Sequence, residues 1–176
     1  MALDARRRIH DHVLAYPGLH LREIARQTAL DPNHVKYHLG RLEKAHLVTS
    51  RKEDGYQRFW PTEHDERGTR GRLPPDERKV LALLRRPIPL HIVTILLDRE
   101  EANQRELVDA VGTAQSTLSY HLKRMERQGL LVVESTGRQR RYRLADHDRL
   151  HALLMRYKPP DALVAGFLDA WEQVEM

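Results

Sequence analysis

The chain has 176 residues, enough for one medium domain or two small ones. It carries 30 Lys and Arg against 25 Asp and Glu, and the net charge of +5 favours a polyanionic partner. The absence of cysteine excludes disulfides, thiolate metal sites and cysteine nucleophiles, and no apolar run approaches the roughly 18 residues of a membrane span. We therefore expect a cytoplasmic protein with no membrane segment.

The first 62 residues predict three helices followed by a β-hairpin. Apolar residues at helical spacing indicate a first helix that ends before Pro17, and Asp31 before Pro32 is typical of a helix N-cap. Asp54-Gly55 is a typical hairpin turn. The predicted helices cover residues 6–16, 20–28 and 32–46, and the predicted strands cover residues 48–52 and 56–61.

Residues 63–86 are predicted to be a polar linker followed by a connecting helix that begins near Asp76. Residues 87–145 then repeat the order of three helices and a hairpin, with Gly129 as the stop after the third helix. The second and third helices of this repeat are predicted at residues 104–111 and 115–128, and its strands at residues 130–134 and 139–144.

Residues 146–176 are predicted to form a helical extension that Pro159-Pro160 interrupts. From Asp161 onwards, Leu163, Phe167 and Trp171 recur at helical spacing and form a broad apolar stripe. Such a stripe has two interpretations. It is a homodimer contact through residues 161–176, or it packs onto the chain's own second unit.

The chain contains an internal repeat with an offset of 83 residues. Tyr37-His38-Leu39 recurs as Tyr120-His121-Leu122, and Arg22-Glu23-Ile24-Ala25 is echoed by Arg105-Glu106-Leu107-Val108 in the same register. A helix, a helix-turn-helix and a two-stranded wing together describe a winged helix. We therefore predict a mainly α (α+β) protein with two tandem winged helix-turn-helix domains, a connecting helix and C-terminal helices.

Two segments carry a resemblance to a known family. "REIARQTALDPNHVKYHLGRLEKAHLV" with "GYQRFWP", and "RELVDAVGTAQSTLSYHLKRMERQGLLV" with "GRQRRYRL", resemble the winged helix-turn-helix of ArsR-like and MarR-like regulators. The combination is most similar to archaeal tandem winged-helix regulators and covers residues 6–61 and 88–145. The first segment departs from the family at Ala45-His46, where a glycine usually follows the helix. The resemblance implies a transcriptional regulator that binds duplex DNA.

The third helix of each unit has one apolar face and one polar face. On a helical wheel, Val35, Leu39 and Leu42 fall together, and hydroxyl, amide and basic groups fall on the opposite side. Short polar side chains can reach base edges, and Lys and Arg can reach phosphates or guanine. The alternative is an ordinary solvated face. The predicted DNA contacts are Asn33, His34, Lys36, Tyr37 and Arg41 in the first unit, and Gln115, Ser116, Thr117, Ser119, Tyr120, Lys123 and Arg124 in the second.

The hairpins provide a second set of predicted contacts. The second wing is rich in arginine with no acidic residue between Gly137 and Arg143, which suits phosphates or a narrow minor groove. A charged solubilising hairpin is the alternative. The first wing has acidic residues at its tip, so we expect the second unit to bind DNA more strongly. The predicted wing contacts are Arg58, Arg138, Arg140 and Arg141.

No other pattern predicts a cofactor or a catalytic site. His147 and His151 have a spacing that zinc ligands use, but two imidazoles need further donors to complete a site, so no metal is predicted. His38 and His121 fall at the edge of the apolar face, which favours a structural role. No nucleophile motif, phosphate loop or paired carboxylates indicate an enzyme.

The predicted function is a DNA-binding transcriptional regulator that reads duplex DNA with two recognition helices and arginine-bearing wings, at the nucleoid. Two alternatives stay open. A non-specific chromatin architectural protein would bind any duplex with similar affinity and a steep salt dependence. A tandem winged-helix protein-interaction scaffold would show no salt-dependent duplex binding.

Overall fold

A computed structural model describes residues 2–62, 73–137 and 139–175 of the chain. The chain divides into two compact units, residues 1–85 and residues 86–176. Residues 63–72, which contain most of the predicted polar linker, and the predicted wing contact Arg138 lie outside the described residues.

The described residues of the first unit form four helices and one antiparallel hairpin. Its hairpin pairs Val48 with Pro61 and Glu53 with Tyr56. The core holds one face of each of the first three helices together with Phe59 of the returning strand. Its elements are α1 Ala2–Ala15, α2 Leu21–Thr28, α3 Pro32–Lys44, β1 Val48–Glu53, β2 Tyr56–Pro61 and α4 Pro75–Leu84.

The second unit has the same order of elements with two additions. A short strand, β3, pairs with the returning strand of the wing and makes a sheet of order β3-β5-β4. Helices of the C-terminal extension follow the wing. The elements are α5 Pro87–Arg99, β3 Glu101–Asn103, α6 Gln104–Val111, α7 Gln115–Arg127, β4 Leu131–Thr136, β5 Gln139–Leu144, α8 His147–Arg156, α9 Asp161–Val164 and α10 Leu168–Glu175.

The two units follow the same backbone plan, and the prediction of tandem winged helix-turn-helix domains is confirmed. Three left-handed residues of the first unit, each at positive φ, have a glycine at positive φ 83 positions later. These pairs are Ala29 with Gly112, His46 with Gly129, and Asp54 with Gly137. The helix ends and the hairpin turn of the two repeats therefore use the same backbone conformations.

His46 adopts a conformation that favours glycine, with φ at 55°. We expect His46→Gly to raise the free energy of unfolding of the first unit by roughly 0.5–1 kcal/mol, because it relieves the left-handed strain of a residue with a Cβ. The measurement is urea unfolding followed by Trp60 fluorescence in a Trp171→Phe background, since these are the only two tryptophans. The reverse change, Gly129→His, should destabilise the second unit. A destabilised His46→Gly protein would contradict the prediction.

The C-terminal extension packs on its own unit. After Pro160 it forms two helices, α9 and α10, where the sequence predicted one, and α10 lies against α5. Phe167 stacks on His91 with ring centroids 4.1 Å apart. The side chains of Leu163, Val164, Trp171 and Val174 are buried within the chain. This burial supports the interpretation that the stripe packs onto the chain's own second unit, and a homodimer contact through residues 161–176 stays a prediction.

No single helix in the described part of the chain is long and apolar enough to cross a membrane. The consecutive helices α4 and α5 reach the required length and hydropathy only when they are counted together.

Candidate nucleic-acid interface

Helix α7 separates apolar and polar side chains cleanly. Leu118, Leu122 and Met125 are at most 1% exposed and fix this face of the helix in the core. The opposite side carries the predicted contact residues. Gln115, Ser116, Tyr120 and Lys123 are exposed, and Thr117, Ser119 and Arg124 are half-buried. The structure therefore brings all seven predicted residues of the second unit to the accessible side of one helix.

Three contacts organise the polar side of α7. The Tyr120 hydroxyl accepts a hydrogen bond from Arg124 at 3.0 Å, and Ser119 Oγ accepts one from Gln104 Nε2 at 2.6 Å. Arg127 Nε lies 3.4 Å from the Lys123 carbonyl oxygen. These bonds hold polar groups in defined positions before any ligand is present, which lowers the entropic cost of binding.

An open groove of about 320 Å³ lies at the C-terminal end of α7. It is lined by Tyr120, Arg124, Arg127 and Gln128, so two guanidinium groups and a phenol face one concavity. Arg127 and Gln128 were not among the predicted contacts. The helical wheel could have found Arg127, because it falls on the polar side of the helix, whereas nothing in the sequence singled out Gln128.

Helix α3 has the same division into two faces. Val35, Leu39 and Leu42 are at most 2% exposed. The predicted contact residues Asn33, His34, Lys36, Tyr37 and Arg41 are all exposed.

The starts of α3 and α7 differ in charge. Asp31 caps α3, and its carboxylate accepts hydrogen bonds from the backbone N–H groups of Asn33 and His34. Ala114 stands at the corresponding position before α7 and provides no side-chain cap. A carboxylate at the first turn of α3 opposes a phosphate there, and α7 lacks that opposition.

The described arginines of the second wing are accessible to solvent. Tyr142 and Leu144 are buried, as strand alternation predicted, and Arg140 is exposed. Arg141 forms an ion pair with Glu101 of β3 at 2.6 Å, and Arg143 forms one with Glu134 of β4 at 2.9 Å. Among the described wing arginines, Arg140 is thus the one without an acidic partner, and the local positive charge is smaller than a count of basic residues suggests.

Arg58 does not belong to the interface, and the prediction that it contacts DNA is wrong. Its side chain is 1% exposed. The guanidinium donates to the Gly18 carbonyl at 2.7 Å and to the Glu53 carbonyl at 3.3 Å, and it lies 3.7 Å from the Asp54 carboxylate. A side chain held inside the unit by these partners cannot reach a phosphate.

A second buried arginine accompanies Arg58. Arg85 Nε donates to the Pro17 carbonyl at 3.1 Å. Burial, with a contribution from the nearby Arg58 charge, lowers the pKa of Arg85 to about 9, so it stays protonated at neutral pH. The two arginines bind adjacent carbonyls and hold the loop before α2 in place.

The two equivalent histidines lie beside the exposed tyrosines. His38 and His121 make edge-on ring contacts with Tyr37 and Tyr120, each at 5.2 Å. Burial lowers the pKa of both imidazoles, and a nearby basic side chain, His34 for His38 and Arg86 for His121, lowers it further. Both rings are therefore neutral at pH 7 and add no charge to the interface.

The candidate metal ligands have other partners. His147 Nε2 lies 3.2 Å from the Leu97 carbonyl, and His151 Nε2 lies 3.1 Å from the Val174 carbonyl. The Leu97 carbonyl is the main cause of the raised pKa of His147. Within the described residues, no group of three or more His, Cys, Asp or Glu is placed to hold a metal ion.

Comparisons with known proteins agree with this architecture. Residues 3–71 match an N-terminal HTH domain family, and residues 87–141 match the MarR family. An uncharacterized HTH-type transcriptional regulator of the archaeon Methanocaldococcus jannaschii is 29% identical over 134 residues, which are 76% of this chain and 32% of that protein. The HTH-type transcriptional repressor SmtB of Mycobacterium tuberculosis is 37% identical over 76 residues, 43% of this chain and 56% of SmtB.

Among solved structures, reduced HlyU from Vibrio cholerae is similar at 28% identity, with a TM-score of 0.40 over 45% of this chain and 84% of that one. The chain thus spans about a third of the archaeal relative and just over half of SmtB. Both curated relatives are named as transcriptional regulators. The chain thus contains two tandem winged helix-turn-helix domains, and it resembles the ArsR-like and MarR-like families.

Proposed function

We propose that the chain is a sequence-specific regulator that contacts duplex DNA chiefly through α7 and the second wing. The observation that carries the proposal is that α7 has one buried and one accessible face. Its leucines and methionine are buried, and seven polar or basic side chains are accessible on the other side. Side chains of this kind on one face of a helix match the donors and acceptors of the major groove.

The first unit is proposed to contribute less affinity than the second. Its recognition helix presents five accessible contact residues, but Asp31 places a negative charge at the start of that helix. Its wing keeps Arg58 inside the unit. We therefore assign the first unit a role in base recognition through Asn33, Lys36 and Tyr37, without phosphate contacts from an arginine of its returning strand.

The proposed boundaries are residues 1–62 and 87–145 for the two DNA-binding domains, with residues 63–86 between them and residues 146–176 as an extension. Its place of action would be the nucleoid. Chemistry on a substrate has no part in the proposal, because the curated relatives are named as regulators.

Replacing Lys123 and Arg140 together by alanine should weaken binding to every duplex and lower the salt slope. Each lost phosphate contact reduces the slope of log affinity against log salt by about 0.9, so the double variant should lose about 1.8. The measurement is a fluorescence-anisotropy titration of a labelled duplex at several salt concentrations.

The matched control is Lys79→Ala plus Arg156→Ala, which removes the same charge from two exposed positions on α4 and α8. Its slope should equal that of the wild type. If both double variants lowered the salt slope equally, net charge rather than this surface would determine binding. The wild-type protein also separates the alternatives: equal affinity for selected and random duplexes indicates an architectural protein, and no duplex binding indicates a scaffold.

A further inference from the structure

The side chain of Ser119 on the recognition helix is held by a residue from the preceding helix. Gln104 is the first residue of α6, and its Nε2 donates to Ser119 Oγ at 2.6 Å across 15 residues of sequence. Both side chains are half-buried, so the bond lies at the edge of the interface. Solvent competes less with such a bond than with one on the open surface.

The position of Gln104 is itself fixed by the start of its helix. The Asn103 side chain accepts a hydrogen bond from the Glu106 backbone N–H at 3.0 Å, and the Glu106 carboxylate accepts one from the Asn103 backbone N–H at 2.7 Å. This reciprocal capping box sets the first turn of α6. The amide of Gln104 is therefore presented to α7 by a rigid element.

The bond from Gln104 determines what Ser119 can offer to a ligand. Buried threonines of this chain donate their hydroxyl protons to the carbonyl four residues earlier, as Thr28 does to Ile24 and Thr94 to Leu90. Across residues 2–62, 73–137 and 139–175, Ser119 Oγ donates no such bond. One of its lone pairs accepts from Gln104, and its proton stays available on the accessible side of the helix.

We propose that Gln104 is a positioning residue for base recognition, and that it makes Ser119 a hydrogen-bond donor to a base edge in the major groove. The inference rests on the proposed function and specifies the kind of base atom that Ser119 recognises. The chemistry recognised is an acceptor on the base, that is purine N7, guanine O6 or thymine O4. Cytosine offers an amino donor at the same edge and is disfavoured there.

The first unit lacks this arrangement. The positions 83 residues earlier hold Leu21 in place of Gln104 and Lys36 in place of Ser119. A leucine has no donor, and an exposed lysine is a mobile cation. The oriented hydroxyl is thus particular to the second unit, and the two units read different chemistry at corresponding positions.

The test is a double-mutant cycle on base discrimination. A duplex is first selected from a random pool with the wild-type full-length chain, and its variants with each base at each position are prepared. Affinities are then measured for the wild type, Gln104→Leu, Ser119→Ala and the double variant. Gln104→Leu introduces the residue that the first unit has at this position, and Gln173→Leu, on the exposed side of α10, is the control for adding a leucine.

We expect Ser119→Ala to lose roughly 3- to 10-fold in discrimination against cytosine at one base position. Gln104→Leu should lose a similar factor at the same position, and the double variant should lose no more than either single change. Gln104→Met provides a second substitution of similar length if the leucine variant unfolds below the wild-type melting temperature.

The outcomes are distinguishable. If the two variants lose base discrimination additively, or at different base positions, the coupling between Gln104 and Ser119 is overturned. A uniform loss on every duplex shows that Ser119 contacts a phosphate and also overturns the proposal. If the wild type enriches no sequence from the random pool, the proposed sequence-specific function is contradicted, and the proposed base recognition by Ser119 falls with it.

Discussion

Replacing Arg58 by alanine is expected to lower the free energy of unfolding of the first unit by about 3 kcal/mol. The guanidinium binds the carbonyls of Gly18 and Glu53 and lies beside the buried Asp54 carboxylate. Its removal leaves these buried acceptors without a hydrogen-bond donor, because water does not enter to replace the guanidinium. Relief of the repulsion with Arg85 offsets part of the loss. The measurement is urea unfolding followed by Trp60 fluorescence in a Trp171→Phe background.

Arg141 is the matched control, because it stands 83 residues after Arg58 and its side chain is 42% exposed. Arg141→Ala removes an accessible ion pair and should cost less than about 1 kcal/mol. The effects on duplex binding should be reversed. Arg141→Ala should lower the salt slope by up to about 0.9, and Arg58→Ala should leave the slope of the folded protein unchanged. A large salt effect of Arg58→Ala would contradict its assignment to the interior.

Gly18→Ala should destabilise the first unit by roughly 2–4 kcal/mol. Gly18 has φ at +88°, and a Cβ built on it would lie 2.6 Å from the Trp60 indole. Trp60 is 2% exposed, so the ring could move away only by displacing other buried atoms. Both the backbone and the packing therefore oppose a side chain here. Hydrogen exchange of the slowest amides in residues 1–62 measures the loss.

Gly55→Ala separates the two causes. Gly55 has φ at +79°, but a Cβ there would meet nothing within 4 Å. It should cost only the backbone strain of about 1–2 kcal/mol. Equal losses at both glycines would show that the contact with Trp60 contributes nothing.

Most helices and strands could be predicted from the sequence because their signals are local. The capping aspartate before α3, the Asp54-Gly55 turn and the apolar periodicity each depend on residues within one element. The short strand β3 was missed, since three residues carry no periodicity and pair only because the returning strand of the wing lies beside them. The break between α9 and α10 was also missed, because the apolar spacing continues through it.

The exposed faces of α3 and α7 were predictable from the same periodicity, whereas the burial of each wing arginine was not. Arg58 and Arg141 occupy equivalent positions, and the repeat alone suggests that they behave alike. Their hydrogen-bond partners differ. Arg58 donates to the backbone carbonyl of Gly18 inside the unit, whereas Glu101, 83 residues after Gly18, binds Arg141 through its carboxylate at the surface.

The acidic partners of the second wing have a further consequence. A phosphate that approaches Arg141 or Arg143 must displace Glu101 or Glu134, so these carboxylates act as built-in competitors for the DNA backbone. Replacing either Glu101 or Glu134 by a neutral residue should raise the affinity for all duplexes by a similar factor. Under the proposed function, these carboxylates weaken sequence-independent binding, and discrimination among sites then depends more on α7.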